Sequence, residues 1–116
     1  MNIHELYWAA GFMEGEGCFS LRDRQAEAKG TASLSCKASQ VNPEPLYRLK
    51  ELFGGPVYGP YKGTPSMKVR NRQPFYEWSV SGRQAAQVFM TLYPLMSDVR
   101  KKQIRRGMVV WKAAPI

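Results

Sequence analysis

The stretch Trp8-Ala9-Ala10-Gly11-Phe12-Met13-Glu14-Gly15-Glu16-Gly17-Cys18-Phe19 constrains the fold more than any other part of this sequence. Gly11 and Gly15 stand four apart, so on a helix they share one face, with Ala10 flanking, and offer bare backbone that a second helix can approach closely. Glu14 and Glu16 are two apart, about 200° around a helix at about 100° per residue, and cannot both point at one ion. Glu16 is the candidate ligand. Gly17 in a C′-type position ends the helix there and leaves free carbonyl oxygens and the negative end of the helix dipole beside the Glu16 carboxylate. Oxygen-only surroundings suit Mg²⁺ or a similar hard cation. Taken alone, a Gly-x-Glu-Gly element also describes a tight helix-to-strand turn with solvated acids.

Charge narrows the partner. Seventeen Lys and Arg against nine Asp and Glu give a formal charge of +8 over 116 residues, which points to a polyanion, nucleic acid first. A hydrophobic content of 44% with 12% aromatics excludes a disordered chain. The length fits one domain over residues 1–116, large enough for a core but small for a two-site enzyme unless it dimerises. Two copies packed through their glycine faces would bring two Glu16 carboxylates near one axis, a layout suited to cutting two phosphodiesters. There is no apolar run of about 18 residues and no signal-peptide pattern at the start. A soluble intracellular protein, of the cytoplasm or an organelle matrix and without a membrane partner, is therefore expected. Cys18, Cys36 and the single His4 make no zinc ligand set. Both cysteines fall in strand-like runs and are expected as reduced core thiols.

Periodicity gives the element order. Asn2 followed by Glu5 forms a capping box, and Ile3, Leu6, Tyr7 and Ala10 recur at helical spacing, predicting a helix from about residue 3 to residue 16. Cys18 to Arg24 and Thr31 to Val41 alternate in character and predict a two-stranded ribbon. Asn42 and Pro43 start a second helix with Leu46, Leu49, Leu52 and Phe53 as its apolar stripe and Gly54-Gly55 as its stop. The order then repeats. Val57 to Lys62 and Phe75 to Ser81 read as strands around a basic Gly/Pro loop, and Ala85, Val88, Phe89 and Leu92 mark a helix that Pro94 breaks or kinks. A last basic helix follows Ser97-Asp98, with Ile104, Met108 and Trp111 on one side.

The first helix, the Glu-Gly-Glu-Gly turn and the strand-strand-helix order together resemble a single-motif LAGLIDADG homing endonuclease. The nine-residue signature lies over Ala9 to Gly17, with Ala9 in place of its leading leucine and Glu14 and Glu16 in place of its two acids. The resemblance implies an α+β, αββαββα half-domain with a saddle-shaped antiparallel sheet, a homodimer formed through Ala10, Gly11, Glu14 and Gly15, and double-stranded DNA as partner. It implies that Glu16 and the Gly15 carbonyl hold Mg²⁺ or Mn²⁺, that Gln40 positions water near the scissile phosphate, and that Arg100 or Lys101 is the basic residue beside them. Glu44 stands where some relatives carry an active-site arginine and is left out of the site. DNA-reading positions in relatives align with Thr31, Ser33 and Lys37, so Gln40 on the same face requires a bulge before it. Arg22 and Arg24 in the first strand follow the same logic, as do Lys62, Lys68, Arg70, Arg72 and Phe75 around the second pair.

Chemistry supports cleavage independently. Phosphodiester hydrolysis needs a metal to activate water and a cation near the developing charge, which Glu16 and Arg100 or Lys101 supply. Gln40 cannot accept a proton at pH 7, so the base is solvent. The alternatives are an intron maturase that binds intron RNA on the same fold, a catalytically inactive DNA-binding regulator, and a general basic RNA-binding protein. The first two need no Glu16, and the last has no use for a glycine-striped helix.

Overall fold

A computed structural model of the chain describes residues 1–23, 32–62 and 73–113. Asn2 opens α1 (Ile3–Glu16): its Oδ1 accepts the Glu5 backbone N–H at 2.8 Å, and Glu5 Oε1 accepts from the Asn2 N–H at 3.5 Å, the expected capping box. The other end departs from expectation. Gly17 is the C-cap in extended backbone, φ −79° and ψ 157°, not a left-handed C′ residue. Glycine is needed there for space, because a Cβ would come within 2.6 Å of the Met13 carbonyl oxygen and Met13 Cε. The chain thus leaves the helix straight into β1 (Gly17–Asp23) with no turn between.

β2 (Ala32–Gln40), α2 (Glu44–Phe53), β3 (Val57–Tyr61), β4 (Phe75–Ser81) and α3 (Gly82–Leu92) complete the αββαββα order, and a 3₁₀ turn at Tyr93–Leu95, where Pro94 stands, leads to a further helix, α4 (Asp98–Ala113). Asn42 Oδ1 accepts the Glu44 N–H at 3.1 Å to start α2. Gly54, at φ +78°, stops it, a conformation glycine adopts without strain. The four strands form one antiparallel sheet in the order β1-β2-β4-β3.

Strand alternation decides which face is covered. Phe19 in β1, Leu34, Cys36 and Ala38 in β2, and Trp78 and Val80 in β4 are buried, and α1 to α4 pack against strands of this sheet. Trp78 is fully buried, and its Nε1–H is satisfied by the Gly54 carbonyl at 2.8 Å, which locks the end of α2 to the sheet. Phe19 meets Phe89 of α3 edge-on at 5.3 Å. α4 approaches where it has no side chain: a Cβ on Gly107 would stand 3.2 Å from both Leu34 and Phe89. Of the two cysteines, Cys36 is a core thiol, pushed well above the usual thiol range by burial first, then by Cys18. Cys18 is exposed, a correction to its expected place in the core, because it has the opposite strand parity. Among the described residues no helix is long and apolar enough to cross a membrane.

Candidate catalytic centre and nucleic-acid interface

Because α1 runs directly into β1, and Gly17 pairs with Ala38, the last residue of α1 lies beside the last residue of β2. Gln40 Nε2 accordingly donates to Glu16 Oε2 at 2.9 Å. Two residues 24 apart in sequence are thus joined at an exposed position. The donor leaves Glu16 Oε1 available to a cation, and the oxygen-only chemistry suits a hard divalent ion. Among the described residues there is no group of three His, Cys, Asp or Glu side chains able to hold a metal.

The bulge expected before Gln40 is absent. β2 pairs with β4 in unbroken register from Ser35 opposite Ser81 to Gln40 opposite Tyr76, and with β1 from Ala32 to Ala38. No bulge is needed, because Gln40 keeps the parity of Leu34, Cys36 and Ala38, the helix side, which is where α1 ends. Gln40 and the expected DNA-reading residues Ser33 and Lys37 therefore project from opposite faces of β2.

Glu14 turns away from Glu16, as their angular separation requires. Its carboxylate accepts the Ser97 backbone N–H at 2.6 Å and the Ser97 hydroxyl at 2.9 Å, just before the first turn of α4. Arg100 reaches back: Nε and Nη2 donate to the Glu14 carbonyl oxygen at 3.2 and 3.0 Å, and Nε lies 3.6 Å from the Glu14 carboxylate. Each helix caps the other. The carboxylate sits at the positive end of α4 and the guanidinium at the negative end of α1. Nη1 of Arg100 is also held, by Gln103 Oε1 at 3.1 Å. Lys101 instead lies with its ammonium 5.7 Å from the Tyr93 ring, alongside Arg105 at 5.8 Å from the same ring. Ser97 was not singled out from the sequence, although Ser-Asp ahead of a basic helix is an N-cap signature. Glu14→Ala is expected to lower stability by about 1–3 kcal/mol in chemical denaturation, since it leaves a charged donor and the α4 terminus unpaired.

Among the described residues, the helices cover one face of the sheet and none covers the other. On it lie Cys18 and Ser20 from β1, Ser33, Ser35, Lys37 and Ser39 from β2, Tyr58 and Tyr61 from β3, and Phe75, Glu77, Ser79 and Ser81 from β4. Tyr61 packs 5.7 Å from Phe75 at one end. Lys62, just past β3, is exposed. Arg24, Thr31, Lys68, Arg70 and Arg72 lie outside the described residues, as does the side chain of Arg22, whose backbone pairs with Ser33.

α1 has its own open stripe. A Cβ at Gly11 or Gly15 would meet nothing within 4 Å, and Ile3 and Tyr7, two turns and one turn before Gly11 on this stripe, are 57% and 56% exposed. Trp8 and Phe12 stack alongside at 5.4 Å, with the Arg48 guanidinium 4.2 Å from the Trp8 ring. Ala10 is not on the stripe. It is 6% exposed and belongs to the core of its own chain.

No protein-family model matches the chain, and no curated protein does. Solved structures do. The homing endonuclease I-CvuI, in complex with its DNA target in the presence of calcium, superposes with a TM-score of 0.64 at 21% identity, over 96% of this chain and 68% of that one. The archaeal intron-encoded homing endonuclease I-Vdi141I, complexed with DNA, gives 0.59 at 19% identity over 87% of this chain and 63% of that one. The LAGLIDADG homing endonuclease I-LtrWI, bound to target DNA, gives 0.60 at 22% identity over 97% of this chain but 36% of that one. These superpositions extend over nearly the whole chain: the protein has the fold of the LAGLIDADG homing endonucleases.

Proposed function

We propose that the protein is a site-specific double-stranded DNA endonuclease that acts as a homodimer and requires a divalent metal. The observation that carries this reading is the Gln40 to Glu16 hydrogen bond, which sets one exposed carboxylate at the end of a helix with an open glycine stripe. A surplus of eight positive charges supplies attraction to the phosphate backbone. The open strand face supplies short hydroxyl side chains at spacing two, which fit the edges of base pairs in a major groove. A carboxylate facing phosphates repels them, so a protein that only binds nucleic acid, whether RNA-binding maturase or inactive regulator, gains nothing from Glu16.

In this reading Glu16 and the carbonyl of Gly15 would hold the cation, and the second chain of the dimer would supply an equivalent pair. The cation, once bound, activates water and offsets charge on the leaving oxygen. Gln40 fixes one oxygen of Glu16 through its amide N–H and presents its amide oxygen to solvent, where it orders attacking water. It takes no proton, so proton removal falls to solvent. Arg100 acts through backbone, holding the last turn of α1 so that Glu16 and Gln40 stay in register. Gln40→Leu is expected to reduce single-turnover cleavage by about 10- to 100-fold with little effect on DNA affinity, as for the loss of a group that orients a metal ligand.

The deciding experiment is selection of cleaved sites from a randomised duplex library in Mg²⁺. Staggered double-strand cuts at one pseudo-palindromic site are the expected result. Tight binding without cuts would overturn the nuclease reading.

A further inference from the structure

We infer that Glu77 reads base identity, accepting a hydrogen bond from an exocyclic amino group in the major groove, cytosine N4 or adenine N6; the inference rests on the DNA-binding reading of the open sheet face. Glu77 is the one carboxylate among the described side chains of the four strands. It sits on an inner strand, between Ser39 of β2 and Tyr58 of β3, on the face opposite the helices. Its burial is intermediate, so its charge is not fully given over to bulk water. Lys37 lies diagonally across the β2-β4 ladder, since it pairs with Ser79 while Glu77 pairs with Ser39.

Two opposite charges at such a diagonal are within reach of each other. Yet among the described residues neither Lys37 nor Glu77 has a hydrogen-bond or ion-pair partner. On this face the β2-β4 ladder is otherwise serine, and Tyr58 of β3 lies opposite Glu77; none of these supplies a countercharge.

An acid in this position makes no sense as a phosphate contact, because it repels the backbone that the other charges of the molecule attract. It makes sense against a base edge. In the major groove a carboxylate matches an amino donor, the amino groups are carried by cytosine and adenine, and a neighbouring Lys matches the guanine O6 and N7 acceptors. Lys37 and Glu77 together present a donor and an acceptor at adjacent positions, a pattern that specifies bases by charge complementarity while the flanking serines accept several. Because the acid penalises every base edge that presents only acceptors to it, Glu77 works as much by rejection as by attraction.

The test is binding selection from a randomised duplex library with the full chain, comparing wild type with E77Q and E77A. Wild type is expected to enrich cytosine or adenine at one position in each half-site, and the enriched base tells which amino group is read. In E77A the preference at that position alone should fall by about 10- to 100-fold. E77Q should move it toward adenine, whose N6 and N7 a carboxamide can engage together. Equal base preferences in all three proteins, or a uniform gain in affinity for every sequence in E77A, would overturn the inference and leave Glu77 as a charge that only repels phosphate. A wild-type protein that enriches no sequence would overturn the DNA-reading function itself.

Discussion

Replacement of Glu16 by glutamine is expected to abolish strand cleavage, by at least about 1,000-fold in single-turnover rate, while leaving DNA binding intact or tighter. Glutamine has the shape of glutamate and keeps an acceptor oxygen for the Gln40 amide, which now lies 2.9 Å from Oε2. The local geometry and the fold therefore survive. What is lost is the formal charge that draws a divalent cation, and among the described residues no other group of acids is placed to replace it. Binding changes in the opposite direction because one negative charge facing phosphates is removed. Rates in Mg²⁺ and equilibrium binding measured on the same duplex separate the two effects. Unchanged turnover would remove Glu16 from the metal site.

How far the sequence reaches into this site depends on distance along the chain. α1 is legible to its first residue because the Asn2 and Glu5 capping box is local, three residues apart. The αββαββα order is legible because Leu46 and Leu49, and Val88, Phe89 and Leu92, carry clean helical periodicity and are buried as that periodicity requires. The divergence of Glu14 and Glu16 is legible from helix geometry alone. Their partners are of two kinds. Gln40 followed only from the resemblance, and Ser97 and Arg100, at separations of 83 and 86 residues, left no local trace of what they would touch.

Face assignment failed in instructive places. A bulge before Gln40 was required only if Gln40 shared a face with Lys37. The regular ladder shows that α1, entering β1 without a turn, brings Glu16 to the helix side, so Gln40 meets it with unbroken pleat. Glu77 was readable in principle, since Trp78 and Val80 assign the opposite parity of β4 to the core. A charge standing alone on the other parity is the signal that went unused. Gly17 shows a further limit: the sequence marks a glycine, but whether it serves a left-handed φ or a close approach depends on Met13 lying beneath it.

Gly15→Val, and equally Gly11→Val, is expected to convert a dimeric protein into a monomer without unfolding it. Within one chain a Cβ at either position meets nothing within 4 Å, so the substitution is free of internal clash. Replacing an exposed helical glycine also removes backbone entropy from the unfolded state, which favours the fold by up to about 1 kcal/mol. The penalty appears only if a second α1 lies against the stripe. There the added methyl groups hold two backbones apart, and two-fold symmetry makes each substitution act twice. An overpacking cost of about 1–3 kcal/mol per site then raises the dimer dissociation constant by roughly 30- to 20,000-fold. Cleavage should fall with it, because each chain carries one Glu16 and a double-strand cut needs two centres. Far-UV circular dichroism should stay that of wild type while sedimentation shifts from dimer to monomer. A Gly15→Val protein that sediments as a wild-type dimer would exclude this stripe as the interface, and the exposed Ile3 and Tyr7 would then need another explanation.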